Sequence, residues 1–552
     1  MAKESDTIKT RLSRELDGIE PPARLEDIRP STVPIGLSVK LTPTITIVLI
    51  TIILGLISVF STSIAPEFNH DLQHWFFGGF KHYLIYFVAG FFPLALWLLL
   101  SRFGNVPLGQ SDDHPNFSRT SWIAMILAVG TGVELIFWGI NEPIYHFEGN
   151  PFIDEELTNA AAVTAMRITF YHWGIHPWSI LAIFGLCVAY SIHRKGQGFN
   201  LRYTLFPIFG RFVRGPIGTG VDILLVMSTL LVMSTSLIFG TLQLGKLFES
   251  SIDPTVFLFV QLLIIALLST IATLSSLTGL HRGIRFLSYT SLASTAIALF
   301  LMALFGPTDY LFASYFHGIG DLLSNLIQMS VWVNNDKLDD WQEWWTLFYW
   351  CWWILWAPFA GTFIAAISKG RTIREYLLGV VVVPSLVIFL WHTLFGKTSL
   401  YLELAQSIGA SAQKSMNALG HAGIIENVKI NQSIAITSVI ENLGFGDYAG
   451  VALYAIIFVA IIYYVTCADS AIWVINNTIP TGQNTHTAIH HLFWGSVIGL
   501  FSAVVLVTDG FNFLVTITIL FAVPISLLML LMVFALLNTL TREKVKSVVI
   551  EP

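Results

Sequence analysis

The sequence predicts an all-α polytopic membrane protein with twelve transmembrane helices, and three observations predict it. Apolar residues make up 54% of the 552 residues and charged residues only 12%, about half the charged fraction of an ordinary soluble domain, with a mean hydropathy of +0.69. Twelve segments contain roughly 20 mostly apolar residues, enough to cross a bilayer as a helix. Basic residues cluster in alternate connections, the pattern that orients membrane helices. The net charge of −6 and the lack of a long basic tract leave no case for a nucleic-acid partner. Cys187, Cys351 and Cys467 all fall inside apolar segments, so no disulfide framework is expected.

Residues 1–40 mix Lys3, Arg11 and Arg14 with Glu15, Asp17 and Glu20 and lack a cleavable signal pattern, which predicts a cytoplasmic tail. Two spans at 43–62 and 82–100 occupy the region 41–101. Five more, at 121–140, 168–192, 218–244, 256–277 and 284–305, fill 120–306. Residues 308–340 are amphipathic and too polar to span, and are expected to lie at the membrane interface. The last five spans, at 345–367, 377–394, 448–474, 488–507 and 512–537, fill 344–540. Residues 395–447 read as a long loop within this part, and 541–552 as a short cytoplasmic tail. Arg102 and Arg119 follow the second span, Arg194, Lys195, Arg202, Arg211 and Arg214 the fourth, Arg282 and Arg285 the sixth, and Lys369, Arg371 and Arg374 the eighth. Glu142, Glu148, Asp154, Glu155 and Glu156 follow the third. Both termini are therefore expected on the cytoplasmic side of the membrane.

The eighth span holds Trp344, Trp345, Trp350, Trp352, Trp353 and Trp356. Tryptophan normally occupies the interfacial belts, which accounts for Trp344 and Trp345. Trp353 and Trp356 fall within roughly 5 Å of the midplane at 1.5 Å rise per residue. Trp352 and Trp356 share a helix face with Trp353 on its flank. Indole faces so placed can hold a quaternary ammonium by cation–π attraction; the alternative is bulky residues filling a helix interface. Trp173 and Trp178 in the fourth span are candidates to complete such a cage, with a kink expected at Pro177.

Glu134 lies about one turn from the centre of the third span, beside Gly130 and Gly132. A carboxyl at that depth must be protonated, paired or turned to an aqueous cavity. In the tenth span, Thr466, Cys467 and Asp469 offer groups that can coordinate a cation or bond to backbone. For Asp222, Arg167, His172 and His176 a capping or interhelical role is expected, and His486, His490 and His491 read as surface residues. No metal-ligand cluster, nucleotide-binding glycine loop or nucleophile elbow is visible, so neither a cofactor nor an enzymatic activity is expected.

Residues 345–353 (WTLFYWCWW), followed by 368–375 (SKGRTIRE), resemble the signature of the betaine/choline/carnitine transporters. The resemblance extends through Phe137-Trp138-Gly139 with Glu142-Pro143, through His172-Trp173 with Pro177-Trp178, and through Ala468-Asp469-Ser470, covering about 41–540. It implies a LeuT-like fold, two peripheral helices followed by two inverted repeats of five, in the inner or plasma membrane of a bacterium. Helix breakers in corresponding positions, Gly130/Gly132 and Pro358/Gly361, fit that expectation and point to the substrate site.

Carried over by position, the resemblance implies a cage of Trp173, Trp352, Trp353 and Trp356, with Tyr145 matching a cage tyrosine of carnitine members. Betaine members have a tyrosine where this chain has Leu181, so the cage resembles the carnitine type there. Sodium-coupled members use two adjacent hydroxyls at the positions of Thr466 and Cys467, and a thiol is a poor ligand for a hard cation. Sodium-independent exchangers carry an arginine at the position of Ser291. Proton-coupled choline members place an acidic residue at the position of Glu134. The expected function is import of a quaternary-ammonium or related onium solute (choline, glycine betaine or carnitine), coupled to protons through Glu134 and independent of sodium. A sodium symporter and a substrate exchanger stay open, as does a membrane receptor or enzyme for onium ligands. The resemblance also implies a homotrimer.

Overall fold

The computed structural model describes residues 41–543 except 62–65, 111, 250–252, 337–339, 409–422, 444, 446–447 and 480–487. The tail expected at 1–40, most of that at 541–552, and His486 lie outside the described residues. Among the described residues the fold is helical, with one isolated antiparallel bridge between Pro107 and Thr372. Ten helices among the described residues are long and apolar enough to cross a membrane, and a bent pair passes the same test when taken as one span. A shorter apolar helical stretch covers Pro43–Val59. The chain is a multi-pass membrane protein.

In chain order the helices are α1 (Leu41–Ser61), α2 (Pro66–Leu100), α3 (Arg119–Gly130), α4 (Glu134–Glu148), α5 (Asn159–Trp173), α6 (Ile175–Ala189), α7 (Pro216–Glu249), α8 (Pro254–Leu277), α9 (Arg285–Phe305) and α10 (Thr308–Val331). They continue with α11 (Phe348–Ile367), α12 (Ile373–Ala405), α13 (Ile424–Ile430), α14 (Ala435–Asn442), α15 (Ala449–Thr478), α16 (Ala488–Val507) and α17 (Phe511–Leu540). α11 and the α5–α6 pair form the almost wholly buried centre, whereas α8 and α9 leave most of their surface outward. A helix apolar all round needs such a place or a lipid surface.

The third span is broken. α3 ends at Gly130, α4 begins at Glu134, and the two are bent by 63°. The break frees the last carbonyls of α3 from helical partners, and α4 continues to Glu148, well past the expected end. Glu142 is thus a fully buried helix residue rather than one of the loop acids with which its charge was grouped. The fourth span bends at Gly174, not at Pro177. Pro177 falls in the first turn of α6, where a missing N–H leaves no bond unmade. A Cβ on Gly174 would collide with the Phe389 ring, so the bend is a point of close helix approach.

The breaker expected at Pro358/Gly361 does not interrupt α11, which runs through both residues. Gly361 serves packing instead: a Cβ there would lie 3.0 Å from the Gly185 nitrogen, where α11 crosses α6. The loop expected at 395–447 is largely helical where described, through the end of α12 and through α13 and α14. Its modest polarity hid these short helices because their apolar faces meet other helices rather than lipid. His490 and His491 are buried, not superficial, and His491 Nδ1 lies 2.9 Å from Ser276 Oγ.

Two ion pairs tie distant segments together inside the molecule. Arg202 and Asp222 form a fully buried ion pair, and Arg167 donates to Asp321 at 2.7 Å. His176 Nε2 lies 2.9 Å from Ser330 Oγ. The second half of the family-like signature is structural. Arg371 stacks 4.0 Å over the Trp122 ring, donates to Glu375 at 2.6 Å and to the Phe117 carbonyl at 2.9 Å. Gly370 adopts φ +78°, and a Cβ would collide with His114 and Pro115. Just past α17, Glu543 receives hydrogen bonds from Arg194, Lys195 and Tyr190. Burial alone would raise its carboxyl, but those donors hold it down at about 2, which clamps the end of α17 to the end of α6.

Candidate functional site

The break between α3 and α4 is the centre of the site. Each of its glycines admits one large group. A Cβ on Gly130 would collide with the Trp178 indole; one on Gly132 would collide with Glu134 Oε2 and lie 2.9 Å from Trp356. The Glu134 carboxyl therefore sits over Gly132 beside Trp356. It is 4% exposed, and neither oxygen has a hydrogen-bond partner. Ser236 of α7 faces it without closing a hydrogen bond.

The carbonyls released at the end of α3 are taken up by two side chains. Trp356 Nε1 donates to Val129 O at 3.2 Å. The Cys467 thiol of α15 points at Ala128 O and Thr131 O, both at 3.5 Å, and at Val129 O at 3.7 Å. Thr466 is turned back onto its own helix, donating to Ile462 O at 2.7 Å and Tyr463 O at 3.1 Å. Asp469 is fully buried and accepts from Ser275 of α8 at 2.5 Å and Ser470 at 3.1 Å.

Four of the six expected cage residues come together. Trp173 and Trp353 meet edge to face with ring centroids 5.6 Å apart. Trp353 and Trp356 are 6.3 Å apart, and Trp352 and Trp356 6.2 Å. None of the four is more than 7% exposed. Trp353 Nε1 donates to His172 O at 3.0 Å, which pins that indole across the Gly174 bend. Trp178 packs instead against Gly130, with its N–H unpartnered. Tyr145 stands apart, 5.7 Å from Trp345, and accepts from Gln432 at 2.6 Å.

Glu142 is a candidate site residue that the sequence alone did not single out. Its carboxylate accepts from Trp173 Nε1 at 2.6 Å, from Tyr349 OH at 2.5 Å and from His172 Nδ1 at 2.7 Å. His172 Nε2 lies 3.0 Å from Thr346 Oγ1. Three donors from α5 and α11 thus converge on one acid of α4, and charge-assisted bonds of this kind are the strong ones. They set the plane of Trp173 and place Tyr349 5.5 Å from it. The signal in the sequence was the pair Glu142 and His146, four apart on a helix that outlasts its apolar core. His146 Nε2 lies 3.4 Å from Glu142 Oε1. The ligand atoms of Glu142, His146 and His172 all lie within 4.8 Å of one another. The 2.7 Å His172–Glu142 separation is a hydrogen-bond length, shorter than the roughly 3.3 Å between two ligands on a tetrahedral ion with bonds near 2.0–2.1 Å.

A family model described as "BCCT, betaine/carnitine/choline family transporter" matches residues 41–545. The chain is 34% identical over 479 residues to the glycine betaine transporter OpuD of Bacillus subtilis (strain 168), covering 86% of this chain and 90% of that one. It is 33% identical over 470 residues to an ectoine/hydroxyectoine transporter of Virgibacillus pantothenticus, covering 84% and 90%. It is 30% identical over 512 residues to a glycine betaine transporter of Acinetobacter baylyi (strain ATCC 33305 / BD413 / ADP1), covering 92% and 74%. The family and these relatives are transporters, not enzymes. The broken helix, with an acid at its mouth and Trp356 of a four-indole cluster against it, stands in a chain that belongs to the betaine/carnitine/choline transporter family.

Proposed function

We propose that this protein imports a betaine-type onium solute as a secondary transporter, coupled to protons and independent of sodium. The observation that carries this reading is the Cys467 thiol, aimed at three freed carbonyls of the broken helix. Those carbonyls and two hydroxyls from α15 would make an oxygen cage for a hard cation. Here one hydroxyl position is a soft, weakly donating thiol and the other, Thr466, bonds its own backbone. Glu134 is the ionisable group left at the break, and we assign it the coupling proton.

The names of the relatives favour glycine betaine and ectoine over choline or carnitine as substrate. Leu181, where betaine members carry a tyrosine, leaves the four clustered indoles as the onium-binding faces. These indoles now lie against one another, so a cation within about 6 Å of each centroid requires them to part. Taken as one span, α3–α4 joins the ten long helices and α1 to make twelve. We read these as two peripheral helices and two inverted repeats, with both termini cytoplasmic, α10 at the interface and the chain assembling as a homotrimer.

Uptake of radiolabelled glycine betaine, ectoine, choline and carnitine into proteoliposomes, with sodium and pH gradients varied separately, tests the whole reading. The expected result is uptake driven by an inward proton gradient with no sodium present. A sodium requirement at every pH would overturn it and place the ion among Thr466 and the α3 carbonyls. Cys467→Ser, which restores a hydroxyl facing those carbonyls, is expected to add sodium stimulation.

The cage has its own test. Trp353→Leu is expected to weaken binding by about 1–2 kcal/mol through loss of a desolvated cation–π face. Trp353→Phe, which keeps a ring but loses the bond to His172 O, is expected to weaken it less. Tryptophan fluorescence titration with each solute measures this. Unchanged affinity in both Trp353→Leu and Trp356→Leu would remove the indoles from the binding site.

A further inference from the structure

A cavity away from the break lies at the end of α12 remote from Lys369 and Arg371. It has a volume of about 330 Å³ and opens between α5, α10 and α12. Its walls are mostly apolar, from Val163, Met166 and Phe170 on α5 to Tyr310 and Ala313 on α10. One charged side chain reaches it from α12, that of Lys397. Lys397 is only 6% exposed. It ends a π-helical turn, Thr393–Lys397, a local widening common at functional sites. Its ammonium stands 5.7 Å from the centre of the Tyr310 ring.

No carboxylate among the described residues comes within ion-pair distance of Lys397. The charged and titratable groups on the helices around it are otherwise engaged or turned away. Arg167 of α5 pairs with Asp321 of α10 at 2.7 Å. Asp309 of α10 is exposed. Glu403 of α12 accepts from Ile425 N at 2.9 Å. His317 lines the cavity but supplies no negative charge. A buried ammonium without a counter-charge is strongly unfavourable, and intramembrane lysines are expected to have a partner. The ring of Tyr310 contributes only part of that compensation.

We propose that this cavity is a binding site for an anionic lipid, with the lipid phosphate against Lys397 and acyl carbons along the apolar wall of Val163, Met166 and Phe170. The apolar lining is what selects a lipid-borne phosphate over a free one. Nothing in the onium site or in the coupling scheme depends on it.

The test uses the full-length protein in detergent and in nanodiscs. Native mass spectrometry should show phosphatidylglycerol retained about fivefold over phosphatidylcholine, the preference that one lysine near a lipid phosphate provides. Lys397→Met, which keeps length and helix preference, should lose that preference, and Lys397→Arg should keep it. Phosphatidylglycerol should also raise the thermal unfolding midpoint of the wild type and not that of folded Lys397→Met. Equal lipid preference in wild type and Lys397→Met would overturn the proposal. So would equal stabilisation of the wild type by inorganic phosphate without lipid, which would make the ligand a soluble anion. A cavity closed by a second copy of the chain would also overturn it, seen as dissociation of the oligomer in Lys397→Met at fixed lipid content.

Discussion

Glu134→Gln is expected to abolish proton-driven accumulation of substrate while leaving substrate binding and downhill exchange largely intact. The carboxyl is buried at the helix break with no hydrogen bond to either oxygen. A buried carboxylate lacking both donor and counter-charge carries the full desolvation penalty, and a proton relieves it. Opening the site to water on one side supplies the other means of relief. A group that alternates between these two circumstances can take a proton from one side and release it to the other. Coupling then needs the two open states to differ in their interaction with the proton, since a ligand shifts an equilibrium only by its differential affinity.

The position of Glu134 beside Trp356, both packed over Gly132, links that proton to the indole cluster. A zwitterionic betaine would bring its carboxylate next to the protonated acid. A choline-like cation would instead compete with the proton, so a betaine-type solute suits this geometry better. Glutamine mimics the neutral acid at nearly constant shape, which is why binding should survive. The measurement is accumulation of labelled solute in proteoliposomes under an imposed pH gradient, compared with counterflow at equal pH. Accumulation retained in Glu134→Gln would exclude Glu134 and leave Asp469, bonded to Ser275 and Ser470, as the next acid to examine.

Glu142→Gln is expected to weaken substrate binding about tenfold or more. An amide offers one acceptor oxygen where three donors now meet a carboxylate, and its NH2 group opposes at least one of them. Each hydrogen bond to a charged group contributes roughly 1.5–3 kcal/mol. Trp173 at 2.6 Å and Tyr349 at 2.5 Å share one oxygen, Oε2, so an amide whose NH2 takes that place frees both from their fixed orientation, and one turned the other way sets its NH2 against His172 Nδ1. Tyr349→Phe removes a single donor and should have the smaller effect. Because both changes act on one network, the double variant should be weaker than wild type by less than the sum of the two. Fluorescence titration gives the affinities, and thermal unfolding separates misfolding from lost positioning. Wild-type affinity in a folded Glu142→Gln would show that the network serves stability alone. The same comparison made with His172→Gln should track Glu142→Gln, since His172 links the carboxylate to Thr346.

Several features of this protein were legible in its sequence because they follow from local composition and spacing. The low charge content and the long apolar runs require helices in lipid, where every backbone group must be satisfied within its own segment. The six clustered tryptophans of the eighth span and an acid near the middle of the third are anomalies in that setting, and the anomaly alone marks them. Gly130 and Gly132 announced a weak point in the helix, and the chain does break directly after Gly130.

What only the tertiary structure decided is which of these residues face one another. Trp178 and Trp173 are both fourth-span indoles, yet one fills the space over Gly130 and the other bonds to Glu142. Pro358 looks like a breaker and does not break α11, because the surrounding helices hold that helix in place on every side. Glu142 reads as one acid in an acidic outer loop until α4 is seen to carry it inward, beneath donors that come from residues 172, 173 and 349. The same holds for Cys467 and Lys397: a thiol among three carbonyls 336–339 residues away in the chain, and an ammonium facing an apolar cavity. The physical reason is that spacing along a helix gives the direction of a side chain only relative to its own axis. What stands opposite is set by how helices far apart in the chain pack together.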